Sequence, residues 1–164
     1  MKLFILLLLS LSSISTFAAV KTFRSGDILA AGITSTRPDI KNWNKHLFEP
    51  HPNTSYAAVA VRIHPKRKIS IYDYSLALHG RNYPCVAIRT NDGKFEYTQK
   101  AFSSDKQQIY TLLFFLTDTA AADIQASLIS NSPPNAVSSA LFDITYDGDE
   151  LCPFNMIKKD GNFK

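Results

Sequence analysis

The chain has 164 residues, with 18 Lys and Arg against 14 Asp and Glu. That length suits one domain, and 45% hydrophobic against 20% charged residues excludes a mainly disordered polymer. Six Gly and eight Pro exclude a collagen-like chain, and two Cys exclude both a four-thiolate zinc site and a disulfide-dense miniprotein.

The first segment reads as an address. Lys2 is followed by an apolar run, Leu3 to Leu11, broken only by Ser10. Small and polar residues come next, from Ser12 to Thr16, then Phe17-Ala18-Ala19. This is the three-part form of a secretory signal peptide, expected to be cut after Ala18. The run is shorter than the ~20 residues a spanning helix needs, so an anchor is disfavoured. Removal takes away one base and no acid, leaving residues 19–164 as a single, mildly basic domain. No later stretch is long and apolar enough for a membrane span. A secreted or periplasmic location follows, and with it an expected Cys85–Cys152 disulfide pinning the C-terminal segment to the sheet. Such a bridge would contribute up to about 4 kcal/mol by chain entropy.

Residues 19–54 mix Gly26, Gly32, Pro38, Pro50 and Pro52 with scattered apolar side chains. They are expected to form an N-terminal arm or long loop, with short strands at Val20–Arg24 and Ile28–Ile33 and a helical turn or two across Asp39–Phe48. Beyond them the side-chain period is two, the mark of strands. In Tyr56–His64 one face carries Ala57, Val59, Val61 and Ile63. His64 to Lys68 is a turn. Ile69 and Ile71 lead to Leu76 and Leu78 with a switch of parity around Asp73-Tyr74, expected to be a bulge or break. His79 to Asn82 reads as a turn and Tyr83–Thr90 as a strand. Asn91-Asp92-Gly93 is a hairpin signal, with Lys94–Lys100 as partner strand. Ile109–Leu116 is apolar on both faces and is expected at the centre, between two covering layers. Ile124–Ser130 and Ala140–Tyr146 complete the set; a helix over Thr119–Ser127 is the less favoured reading. About seven short strands without alternating helices predict an all-β fold, an antiparallel sandwich.

The runs Tyr56-Ala-Ala-Val59-Ala-Val61, Ile69-Ser-Ile71-Tyr-Asp73-Tyr74, Tyr83-Pro-Cys85-Val-Ala87-Ile88 and Tyr110-Thr-Leu112-Leu-Phe114 resemble bacterial exported immunoglobulin-like domains of the telokin-like kind. The resemblance covers residues 55–146. It implies an immunoglobulin-like β-sandwich, in a group whose roles are mostly binding or unknown, and carries over no catalytic residue. Cys152 beyond the last strand and Trp43 outside the sandwich depart from the antibody pattern of a bridge packed on a tryptophan.

Three groups of residues are candidates for a site. Arg62, Lys66, Arg67 and Lys68 form a basic hairpin tip suited to an anionic glycan, a lipid headgroup or an acidic partner, or simply to keeping a strand edge soluble. Tyr72, Tyr74 and Tyr83 crowd one region, as ligand anchors or as buried hydroxyls. His46, Glu49 and His51 are donor types that zinc accepts, on a Pro-containing loop. Asn53-Thr54-Ser55 fits the N-glycosylation acceptor. No nucleophile elbow, His-Glu-x-x-His motif or phosphate-binding Gly loop is present, so no catalytic residue is assigned. The expectation is an exported, non-enzymatic β domain without cofactor that binds a protein or glycan through its end loops, and not nucleic acid. A metal-binding protein using the His/Glu loop and a small hydrolase with an assembled histidine site are the alternatives.

Overall fold

The computed structural model describes residues 21–23, 25–43, 50, 53–90, 93–117, 125–130, 138–143, 145–146 and 153–154. The leader, His46, Glu49, His51 and Cys152 lie outside the described residues. Thirteen strands appear among those described: β1 (Lys21–Phe23), β2 (Gly26–Thr34), β3 (Ile40–Lys41), β4 (Ser55–Ile63), β5 (Lys68–Ile69), β6 (Tyr74–Leu78), β7 (Arg81–Thr90), β8 (Phe95–Glu96), β9 (Phe102–Ser103), β10 (Gln108–Leu116), β11 (Gln125–Ser130), β12 (Ser138–Asp143) and β13 (Thr145–Tyr146). A 3₁₀ turn, Ile71–Asp73, precedes β6. The fold is all-β with antiparallel sheets. No helix among the described residues is long and apolar enough to cross a membrane.

The main sheet runs β1-β2-β4-β10-β7-β6-β11-β12 and curls into a half-barrel that brings β1 near β12. The two sheets expected of a sandwich are joined through one strand. β7 pairs with β6 from Arg81 to Pro84 and with β10 from Cys85 onward. Leu113 faces Ala87 and Phe114 faces Cys85, so Val86 is an extra residue, a bulge that bends β7 from one half to the other. β5 and β9 make a separate two-stranded ribbon.

Side-chain alternation divides the core into two clusters. Inside the curl lie Val59, Val61, Ile63, Leu76, Leu112, Phe114 and Leu128 with their neighbours. On the outer face lie Tyr56, Ala58, Ala87, Leu113 and Phe115. The run of β10 therefore serves both clusters, which is why it is apolar on both faces. The outer cluster is covered by the chain leaving β2. That segment crosses the sheet, pairs β3 with β8, and lays Ile40 and Trp43 against the outer cluster, which includes the small Ala58 and Ala87. Trp43 packs against Tyr97 and Phe115 at ring-centroid distances of 5.6 and 5.2 Å. The sole tryptophan thus belongs to the core, contrary to the expectation that it lies outside.

Of the other expectations, some are borne out and some corrected. The short strand expected at Ile28–Ile33 is present and longer, Gly26–Thr34; it belongs to the sheet rather than to an arm or loop and pairs with β4 along its length, broken by one irregularity between Ile28 and Ala30. Over its described part, the helical stretch expected at Asp39–Phe48 is β3 followed by Asn42 in the left-handed region at φ 59°. The strand expected at Lys94–Lys100 shrinks to Phe95–Glu96. The parity switch near Asp73 is the 3₁₀ turn, capped by Ser70, whose Oγ accepts from the Tyr72 N–H at 3.2 Å. His79 and Gly80 have φ of 50° and 73° between the paired Leu78 and Arg81, a two-residue turn with both central residues left-handed, the hairpin geometry that matches strand twist. Residues 125–130 are strand, in line with the favoured reading of Ile124–Ser130.

The Cys85–Cys152 disulfide is not present. Cys85 is a buried free thiol whose S–H donates to the Ala87 carbonyl at 3.4 Å. The Cys85 side chain points into the inner cluster, where burial favours the neutral thiol.

Candidate functional site

The turn after β4 is built by its own sequence. The Arg67 N–H donates to the His64 carbonyl at 3.3 Å, closing a four-residue turn with Pro65 second and Lys66 third. Lys66 has φ 63°, and a proline followed by a left-handed residue is the pattern of a type II turn. The Lys66 N–H donates to the Ser104 carbonyl at 2.8 Å and the His64 N–H to the Ser25 carbonyl at 3.0 Å. Three segments distant in sequence are tied at this end of the sheet, and the cationic side chains are thrown outward.

Lys66, Arg67 and Lys68 are all exposed, and together with Ser25, Ser70 and Asp73 they line a cleft of about 450 Å³. Asp73 is the only carboxylate among the cleft's described residues. Burial raises its pKa from the ordinary value of 3.8, against a hydrogen bond from the Ser70 backbone that lowers it. The cleft is thus cationic, with one carboxylate held by backbone rather than by the lysines. Arg62 is not part of it. It faces Asp27 across β2 and β4 at 3.9 Å, a partly exposed pair that contributes about 0–1 kcal/mol.

The tyrosines separate. Tyr72 is exposed at 62%, while Tyr74 and Tyr83 are buried in the inner cluster. The Tyr74 hydroxyl lies beside Ser130, and burial raises its pKa, with Asp73 adding in the same direction. Among the described residues no three His, Cys, Asp or Glu side chains gather as metal ligands. His64 follows the strand end near Thr90, whereas His79 precedes Arg81 at the other end of β7. Ten residues of strand, about 30 Å, separate those ends.

A second cleft, of about 380 Å³, lies under the segment that crosses the outer face. Arg37, Asp39, Arg89, Lys94 and Phe95 line it. None of these residues stands out in a linear reading. The signal available was Arg89 at an outward position of a strand whose neighbours are buried. Comparison with protein-family models, with curated proteins and with solved structures finds no match, so the geometry alone carries the functional argument.

Proposed function

We propose that this chain is an exported binding domain, acting without catalysis of its own, that holds a polyanionic protein or glycan through the basic cleft at the end of its sheet. The observation that carries the reading is the set of three exposed cations, Lys66, Arg67 and Lys68, facing a single counter-charge, Asp73, in a cleft shaped by the 64–67 turn. The tie from His64 to Ser25 supports a contribution from the 24–52 region. The free Cys85 thiol supports the non-catalytic side of the proposal, because burial pushes it up to about 12 and leaves little thiolate at neutral pH. Kinship with exported immunoglobulin-like domains belongs to the same proposal, supported by the antiparallel pairing of β4, β6, β7, β10, β11 and β12.

Heparin and polyglutamate serve as probes. The chain lacking its leader should bind a heparin column and elute with salt, because surface charge contacts are screened within about 10 Å at 0.1 M ionic strength. Replacing Lys66, Arg67 and Lys68 together by Glu should abolish retention, and Asp73→Asn should move elution to higher salt. Passage of the unaltered protein through heparin, with no binding to polyglutamate, would overturn the reading.

A further inference from the structure

The cleft under the crossing segment has a different chemistry from the basic turn. Arg89 rises from β7 on the outer face, with its guanidinium carbon 4.7 Å from the centre of the Phe95 ring. One of its N–H groups donates to the Pro153 carbonyl at 2.6 Å. Burial lowers its pKa, yet a guanidinium stays charged at any physiological pH. A half-buried charge is expensive unless an opposite charge meets it. The only carboxylate among the cleft's described residues is Asp39, and Lys94 holds it at 2.6 Å. Arg89 and Arg37 therefore face the same space with no carboxylate left for them among the described residues.

The apolar part of the wall is Phe95 and Phe154, beside Thr34, Thr36, Pro38 and Gly93. Phe95 and Phe154 stand 6.2 Å apart between ring centres and are tilted by 53°. The cleft's size, about 380 Å³, falls within the span of small-molecule sites. A guanidinium fork presents paired donors that match a planar carboxylate or a phosphate. A flat apolar body beside that oxyanion would cover the phenylalanine rings. We propose that this cleft binds a small oxyanion, carboxylate or phosphate, carried on an aromatic or similarly flat apolar body, with Arg37 and Arg89 gripping the anion and Phe95 and Phe154 the body. The site is independent of the basic turn and of any polyanion held there.

Benzoate and phenyl phosphate are the probes, titrated into the unaltered protein by calorimetry and by fluorescence. Trp43 is the only tryptophan and shares a neighbouring hollow with Arg37 and Asp39, so its emission reports on this cleft. Saturable binding of at least one probe with a change in Trp43 emission is expected. Inorganic phosphate should bind about tenfold more weakly, since it forfeits the apolar contact. Arg37→Ala, at an exposed position that the fold does not depend on, should weaken the probes about tenfold or more, and Arg89→Gln should do the same if it folds. The preferred probe identifies the anion. The Lys66, Arg67 and Lys68 to Glu variant should bind the probes as the unaltered protein does. No saturable binding of either probe, equal binding of neutral benzamide, or unchanged affinity in Arg37→Ala would overturn the proposal.

Discussion

Cys85 is held in its protonated form by the core that surrounds it. Desolvation pushes the thiol up to about 12 from its ordinary 9.0, against hydrogen bonds involving the Leu113 and Ala87 backbone. The sign of the resulting pH dependence follows. Between about 9 and 12 the unfolded chain releases a proton that the folded chain keeps, so stability is whole below 9 and is lost as pH rises. Each unit of pH in that window removes about 1.4 kcal/mol. The buried Tyr74 hydroxyl, also raised, pulls in the same direction at higher pH. Cys85→Ala should lower stability modestly at pH 7 and flatten the fall between pH 9 and 10.5. Urea midpoints of both proteins at three pH values measure this, and parallel slopes would defeat it. Site residues of this kind are poorly legible in a linear sequence. Lys66, Arg67 and Lys68 are adjacent and so were visible as a group, whereas Arg37, Arg89 and Lys94 become neighbours only through folding.

Strand pairing is the scale at which sequence and structure agree best, and glycine shows where the agreement ends. At Gly26, the first residue of β2, an added Cβ would run into the Arg62 carbonyl of β4. The two strands would have to part at the position where the arm joins the sheet. Gly26→Ala should therefore cost about 1–3 kcal/mol through overpacking. Gly80→Ala meets open space and only the strain of φ 73°, so its loss should be about 1 kcal/mol. Thermal melts of the two variants rank them, and a milder Gly26 variant would mean that β2 and β4 are less close than described. Period-two alternation exposed β4, β7 and β10 because each buries at least one face. It gave β2 only as a short strand within an arm or loop, because Ala30, Ala31 and Gly32 are small and lack strong strand preference. Small residues also occur in the outer cluster, where Ala58 and Ala87 belong to the surface against which Ile40 and Trp43 pack. The crossing segment itself could not be read in advance, because its strand β3 is two residues long and pairs in parallel with an equally short β8.

At the scale of the whole molecule, protection should radiate from one strand. β10 is hydrogen-bonded on both sides, to β4 and β7, and Tyr110 to Leu116 are all buried. Opening it requires separating both clusters at once, so its amides should exchange only with near-global unfolding. β1 and β12 are the ends of the curl. They approach each other, and among the described residues no register of hydrogen bonds joins β1 to β12; the two ends meet only where β13, which follows β12, pairs in parallel with β2 at Thr145–Gly32 and Tyr146–Ile33. Their outward amides lack the second partner that β10 enjoys. Hydrogen exchange followed by mass spectrometry should therefore show the peptide covering Thr111–Leu116 exchanging last and that covering Lys21–Phe23 exchanging among the first. The gradient distinguishes a half-barrel from a closed one. In a closed barrel β1 would be paired on both sides and its amides would be protected nearly as well as those of β2. Equal protection of β1 and β10 would show that the hydrogen bonding at the seam extends from the β13–β2 pair to β1 in solution, and the free outer edge of β1 would have to be given up.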